Sequence, residues 1–83
     1  MADQWWVYML RCSDNSLYCG ISNDVDRRVR EHKNGSGSKY VRSRLPAELV
    51  YGDGPMTHSA ALKREAQIKR LSKPDKERLV QGL

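Results

Sequence analysis

The chain of 83 residues contains no phenylalanine and only two cysteines. Two cysteines are too few for a disulfide scaffold, and Cys12 and Cys19 do not have the spacing of a zinc knuckle. We therefore expect two reduced, buried thiols. Because phenylalanine is absent, the apolar core has to be built from the tryptophans, the tyrosines and scattered valine, leucine and isoleucine.

Long apolar runs are also missing. No stretch approaches the ~20 residues that a membrane-spanning helix needs. The first five residues lack the basic start and apolar stretch of a signal peptide. These absences predict a soluble, cytoplasmic protein without a membrane partner. The length predicts a single domain, residues 1–83, with a small core.

Positive charge is in excess, because 15 Lys and Arg stand against 10 Asp and Glu, which gives a formal charge of +5. An excess of this size favours a polyanionic partner such as nucleic acid. It is not specific alone, since many small basic proteins bind nothing acidic.

Three segments have the composition of strands. Residues 5–11 are rich in aromatic and branched side chains, and residues 17–21 follow them after a turn cluster at 13–16. Residues 47–51 give the third strand, after a basic segment that ends at Pro46. The sequence Gly-Asp-Gly-Pro that follows the third strand predicts a loop.

Three helices complete the predicted order β-β-α-β-α-α. The first spans 24–33, with Ser22, Asn23 or Asp24 as its cap. The second begins at Thr57 or Ser59 and runs to about residue 71, and the third begins at Ser72 with proline in its first turn. This order predicts an α+β fold in which helices flank a small, mostly antiparallel three-stranded sheet.

The first helix turns two ionisable residues toward its apolar side. Val25 and Val29 define that side at 100° per residue, and Arg28 and His32 lie close to it, one turn apart. Arg27 points away. This arrangement indicates a phosphate-binding pair. It is equally compatible with an arginine whose stem packs on the core and a semi-buried structural histidine.

Two strand tyrosines, Tyr8 and Tyr18, share a sheet face only in one hairpin register. A four-residue loop would pair Cys12 with Leu17 and place the tyrosines on opposite faces. A three-residue loop or a bulge would shift the register by one residue and bring them together. The residues leave both registers open.

Glu65 lies at the edge of the apolar stripe of the second predicted helix, one turn from Ala61 and Ile68. Its simplest role is an ion pair with Lys69 at i, i+4. It gains a functional meaning only if the helix brings it to the groove that holds Arg28.

With these residues in place, the chain resembles the GIY-YIG nuclease superfamily, and in particular its small stand-alone bacterial members. The first motif reads Val7-Tyr8-Met9 and the second reads Tyr18-Cys19-Gly20. Further family positions are filled by Ser22, Val25, Arg28, His32 and Glu65. The chain departs from the family pattern at Trp6, which replaces the first motif's glycine, at Cys19, which replaces a branched residue, and at Ile21, where some members carry lysine.

The resemblance implies a metal-dependent endonuclease that hydrolyses phosphodiester bonds in DNA, including structured or single-stranded DNA, with RNA as a second candidate. Glu65 would hold one Mg²⁺ or Mn²⁺ ion. Arg28 would bind the phosphate, and Tyr18 would orient or deprotonate the attacking water. Tyr8 and His32 would support these groups.

Basic side chains would position the nucleic acid. The candidates are Arg27, Lys33, Lys39, Arg42, Arg44, Lys63 and Lys69. Tyr40 could stack on a base, although core packing explains it as well. Whether a partner protein supplies specificity stays open. The alternative to the nuclease is a nucleic-acid-binding module that keeps the fold without turnover.

Overall fold

The structure is a computed structural model and describes residues 4–82. Three strands and four helices follow one another in the predicted α+β order, with one short helix added before the third strand. In chain order they are β1 (Trp5–Arg11), β2 (Leu17–Ser22), α1 (Val25–Lys33), α2 (Lys39–Arg42), β3 (Glu48–Met56), α3 (His58–Lys69) and α4 (Lys73–Gln81). The strands form one antiparallel sheet in the order β2-β1-β3, so β1 lies in the centre and the other two strands are edges.

The turn between β1 and β2 is a three-residue loop over 13–15. The Cys12 N–H donates to the Ser16 carbonyl across 2.9 Å and closes the loop. Asn15 adopts a φ of 68°, a left-handed conformation that asparagine tolerates and that such hairpin loops require at their last position. This turn decides between the two registers that the sequence left open.

The resulting register places both motif tyrosines on one face of the sheet. Tyr8 lies opposite Gly20, and Leu10 lies opposite Tyr18. Because side chains alternate between faces along a strand, residues 8, 10 and 18 point to the same side.

Helix caps follow the predicted polar residues. The Asp24 carboxylate accepts from the backbone N–H of Arg27 at 3.1 Å and starts α1. Thr57 caps α3 and Ser72 caps α4, which has Pro74 in its first turn. Each side-chain oxygen satisfies an N–H that has no carbonyl partner within its helix.

The third strand is longer than predicted, since it continues through residues 52–55 to Met56. Proline and glycine are tolerated there because β3 is an edge strand, where a missing N–H costs no central ladder bond. A second difference is α2, a single turn that the basic segment did not predict. Ser38 caps it by accepting from the Val41 N–H at 3.2 Å.

The helices cover the two faces of the sheet separately. The face packed by α1 and α2, here called the α1 face, buries Tyr8, Leu10, Cys12, Val29 and Val41. The face packed by α3 and α4, here called the α3 face, buries Val7, Met9, Cys19, Ala61 and Ile68.

The two cysteines are free and buried, as predicted. Cys12 belongs to the α1 face and Cys19 to the α3 face, so the sheet separates them. Within residues 4–82, no helix is both long enough and apolar enough to cross a membrane.

Candidate functional site

Tyr8 and His32 meet at the centre of the α1 face. The Tyr8 hydroxyl lies 2.9 Å from His32 Nε2, and the two residues are 1% and 0% exposed. The Tyr8 side chain crosses over Gly20, where a Cβ would lie 2.7 Å from the hydroxyl and 2.9 Å from Cζ. The glycine of the second motif therefore makes room for the tyrosine of the first.

The His32 ring is closed off on its other side by the backbone of Gly37, where a Cβ would overlap Nδ1, Cγ and Cε1. Within the described part of the chain, Nδ1 has no hydrogen-bond partner. Burial, followed by the nearby Arg28 charge, lowers the pKa of His32. The imidazole is therefore neutral near pH 7, because removing it from water disfavours the charged form.

Arg28 lies at the rim of this buried pair, with its side chain 36% exposed. Its guanidinium Nη1 donates to Glu31 Oε1 at 3.0 Å. Burial and the neighbouring Tyr18 phenol raise the pKa of Tyr8 to about 12, against the opposing pull of Arg28. Tyr8 therefore keeps its proton at neutral pH.

Tyr18 continues the cluster toward the surface. Its ring centroid lies 5.2 Å from that of His32 and 6.4 Å from that of Tyr8. On its outer side it stacks with Tyr40 at 6.0 Å, and the Arg44 guanidinium lies 3.8 Å from the Tyr40 ring centroid. A column of aromatic rings thus runs from a surface arginine to the buried histidine.

Glu65 is not brought into this cluster. It lies on α3, which packs on the opposite face of the sheet from α1. Burial, followed by the Glu65 charge, raises the pKa of Cys19 on the edge strand β2 to about 11. The Glu65 carboxylate pairs with Lys69 Nζ at 3.4 Å, and its side chain is 21% exposed. Helical phase placed Glu65 toward the sheet correctly, but it carried no information about which face of the sheet α3 covers.

The seven basic candidates are divided between the two sides of the molecule. Five lie on the α1 side and two lie on α3, and all are exposed except Arg44. Arg44 Nε donates to Asp14 Oδ2 at 3.0 Å while the guanidinium covers Tyr40. Its stacking and ion pair already give it a structural role. The α1-side set is Arg27, Lys33, Lys39, Arg42 and Arg44, and the α3 set is Lys63 and Lys69.

Sequence reasoning missed Gly37. The composition of the run from Gly35 to Ser38 indicates a flexible loop, yet the backbone of Gly37 packs on the ring of His32. A short Gly-Ser run directly after a helix that ends in an inward-facing histidine is the signal that was available.

Taken together, the α1 face presents a neutral imidazole, two phenols and a partly exposed guanidinium within one cluster. A guanidinium can bind a phosphate through two parallel hydrogen bonds. Tyr18 is half-buried whereas Tyr8 is buried, so the Tyr18 side chain is the more accessible of the two phenols.

A family model described as the GIY-YIG catalytic domain matches residues 4–78. Among curated proteins, a UPF0213 protein of Vibrio cholerae is 51% identical, over 95% of this chain and 79% of that protein. A UPF0213 protein of Natronomonas pharaonis is 50% identical, over 96% of this chain and 94% of that protein.

Two solution NMR structures have a similar fold. A UPF0213 protein from Bacillus halodurans superimposes with a TM-score of 0.61 at 41% identity, covering 94% of this chain and 83% of that one. A protein from E. faecalis gives a TM-score of 0.65 at 32% identity, covering 98% of this chain and 86% of that one.

Proposed function

Because the chain belongs to the GIY-YIG catalytic-domain family, which matches residues 4–78, we propose that it is a metal-dependent endonuclease acting on DNA. The observation that carries this proposal is the cluster of Tyr8, Tyr18, Arg28 and His32 on one face of the sheet. Family membership supports phosphodiester hydrolysis, and the cluster supplies groups that suit it.

Arg28 binds the scissile phosphate in this proposal. Its guanidinium is partly exposed and holds Glu31 through a rim-exposed ion pair, which is weak because water competes for both partners. A phosphate offers more oxygen acceptors than that carboxylate and matches the planar fork of arginine. Breaking the Arg28–Glu31 ion pair to bind DNA should therefore require little free energy.

In this proposal Tyr18 orients or deprotonates the attacking water. Tyr8 and His32 hold the Tyr18 side chain in place. Tyr18 is the less buried phenol, whereas burial keeps Tyr8 protonated. The His32 imidazole, neutral and bonded to Tyr8, fixes the rotation of that hydroxyl. Tyr8 and His32 are thus positioning residues, whose effect on water passes through Tyr18.

Glu65 supplies one carboxylate ligand of the kind that a divalent ion uses. Residues 4–82 hold no cluster of three or more His, Cys, Asp or Glu, but Mg²⁺ commonly takes one or two carboxylates, several waters and substrate phosphates. Glu65 is the residue that would hold the ion, once its pair with Lys69 opens. Since Glu65 approaches β2 from the α3 face, an ion bound there would neutralise charge on the phosphate and the leaving oxygen only if the DNA passes around the edge of β2 to reach both Glu65 and Arg28.

The substrate we propose is DNA, with RNA as the second candidate. Four exposed cations on the two helices of the α1 face support it, because such side chains give affinity for the phosphate backbone without reading sequence. They are Arg27, Lys33, Lys39 and Arg42. We place the protein in the cytoplasm as part of the same proposal, and we leave open a partner protein that supplies specificity.

The experiment that tests this function is cleavage of labelled DNA by the purified chain. Supercoiled plasmid, single-stranded and branched oligonucleotides are incubated with Mg²⁺ or Mn²⁺, beside Glu65→Gln and Tyr18→Phe variants prepared identically. We expect cleavage that both substitutions and EDTA abolish. Equal cleavage by the variants would identify a contaminating nuclease and contradict the proposal.

The position of Glu65 favours a second function, a nucleic-acid-binding module without turnover. Glu65 approaches β2 from the α3 face, whereas Arg28 lies on the α1 face. If an ion at Glu65 cannot reach a phosphate held by Arg28, the chain binds DNA and does not cut it. Salt-dependent DNA binding together with no cleavage in either metal would establish this alternative.

A further inference from the structure

A pocket with a volume of about 350 Å³ opens on the α1 face beside Trp6. Its lining includes the Trp6 indole, Asn23 and the first turn of α1, and Gly52 of β3. Small-ligand pockets begin at about 300 Å³, so this pocket suits one small planar group. The cluster described above uses none of these residues.

Trp6 and Tyr8 project from β1 to the same face, because they are two positions apart on the strand. That separation corresponds to about 7 Å along the strand. The pocket therefore lies next to the proposed phosphate site. Trp6 stands at the position where the family motif has a glycine, so the indole is a departure of this chain from the motif.

Gly52 leaves the pocket open. It pairs with Tyr8 across the sheet, so its missing side chain would point to the α1 face, and a Cβ there would meet nothing within 4 Å. Because Gly52 has no side chain, the space between its backbone and the Trp6 indole forms a slot that can accept a planar ring.

The polar rim of the pocket selects against phosphate. Asp24 and Asp26 line it, and among residues 4–82 no lysine or arginine does. Carboxylates repel a phosphate group, but they accept hydrogen bonds from the exocyclic amino groups of adenine, cytosine and guanine, which thymine lacks. The amide of Asn23 adds a donor and an acceptor.

From these features we propose that the Trp6 pocket binds a single unstacked nucleobase that carries an amino group, from the DNA strand whose phosphate lies at Arg28. The base stacks on the indole, and its amino group donates to Asp24 or Asp26. Aromatic stacking of this kind is the usual means by which proteins hold single-stranded bases. The proposal rests on the DNA-binding part of the function proposed above.

Tryptophan fluorescence tests this directly, because the chain has only two tryptophans. Trp5→Phe leaves Trp6 as the sole reporter. Trp6→Phe leaves Trp5, which faces α3 and stacks on His58 at 4.2 Å, as the matched control. Both are titrated in EDTA, where no cleavage occurs, with oligonucleotides of about eight nucleotides. These are oligoadenylate, oligothymidylate and an abasic strand with the same number of phosphates.

We expect oligoadenylate to quench Trp5→Phe strongly, thymidylate and the abasic strand to quench it weakly, and Trp6→Phe to respond to none. Gly52→Val fills the slot with a residue that suits a strand. It should weaken oligoadenylate binding roughly fivefold or more and leave abasic-strand binding unchanged. Asp24→Asn, which keeps the helix cap, should reduce the preference for adenine over thymine.

The proposal is overturned if the abasic strand quenches Trp6 as much as oligoadenylate does, if Gly52→Val binds both strands normally, or if no strand alters the fluorescence. If Trp6→Phe does not fold, Gly52→Val still decides the question. Cleavage assays with Mg²⁺ separate this proposal from the nuclease. Cutting without a base response overturns the pocket alone, and a base response without cutting overturns the nuclease alone.

Discussion

The backbone of Gly37 lies against the imidazole of His32 so closely that a Cβ at position 37 would overlap three atoms of the ring. His32 is fully buried and cannot move away without breaking its hydrogen bond to Tyr8 at 2.9 Å. The loop after α1 therefore holds the histidine in place.

Gly37→Ala should consequently destabilise the fold. Overpacking a filled core costs about 1–3 kcal/mol, and we expect a loss in that range from urea unfolding. Gly52→Ala is the matched control, since its Cβ would meet nothing within 4 Å, and it should change stability by no more than ~0.5 kcal/mol. Equal stabilities for the two variants would show that the loop yields to the added methyl group.

Stability should also depend on pH through His32. Its pKa is lowered in the folded chain by burial and then by the Arg28 charge. The unfolded chain, with an ordinary histidine pKa near ~6.5, therefore binds more protons in that range. Since stability rises with pH wherever the unfolded state binds more protons, it should fall as pH drops from 7.5 to 5.5.

Urea midpoints measured across this range check the prediction. His32→Gln should flatten the pH dependence even if it lowers the overall stability. His58→Gln, which leaves the buried imidazole in place, should keep the dependence. A His32→Gln variant with the full wild-type dependence would assign the effect to another group.

Arg28→Lys should lower DNA cleavage on the order of 10²-fold, the usual cost of removing one hydrogen-bond donor that stabilises transition-state charge. Lysine keeps the charge but loses the planar fork that binds two phosphate oxygens. Arg30→Lys, at an exposed position on the same helix, is the control and should cleave normally. The comparison is made by initial rates of plasmid nicking, and equal rates for the two variants would remove Arg28 from the site.

Glu77 of α4 holds Arg11 of β1 through two hydrogen bonds of 2.6 and 2.8 Å. The bonds from Arg11 are the main reason that the pKa of Glu77 is lowered to about 2. The stabilisation is present above the unfolded carboxyl pKa of ~4.3 and is lost as pH falls through about 2. Glu77→Gln should therefore lower the thermal midpoint at pH 7, and the gap to wild type should close in acid.

The control for Glu77→Gln is Asp53→Asn, which removes a longer and more exposed pair with Arg64 at 3.5 Å. Exposed pairs contribute little, so its thermal midpoint should stay close to that of the wild type. If the thermal midpoint falls equally in both variants, the short, two-bond geometry of the Arg11–Glu77 pair contributes no additional stability.

Much of the fold could be predicted from local chemistry. Ser72 caps its helix as predicted, and Asp24 and Thr57 are each one of the candidate caps that the sequence offered. A cap is predictable because it depends on neighbours only three residues away. Helical phase likewise turned Arg28 and His32 toward the sheet. The extension of β3 was missed because Gly54 and Pro55 favour loops, and only the sheet order shows that they lie on an edge.

The site was harder to predict, because it depends on contacts that sequence spacing does not encode. The register of Tyr8 and Tyr18 depended on one left-handed residue, Asn15. The side of the sheet that Glu65 occupies depended on which face α3 covers, and a helix with an apolar stripe packs on either face equally well. Residue spacing therefore predicted the helical phase of the candidate residues, but not the face of the sheet on which they lie.

Gly20 and Tyr8, which belong to the two motifs that name the family, touch through the space where a Cβ would lie. The two motifs are therefore sterically one unit, although eight residues lie between the first motif and the second. Among relatives, position 20 should accept a larger side chain only where position 8 has lost its ring. A family search that scores the two positions jointly should then separate true members from chains that match one motif by chance.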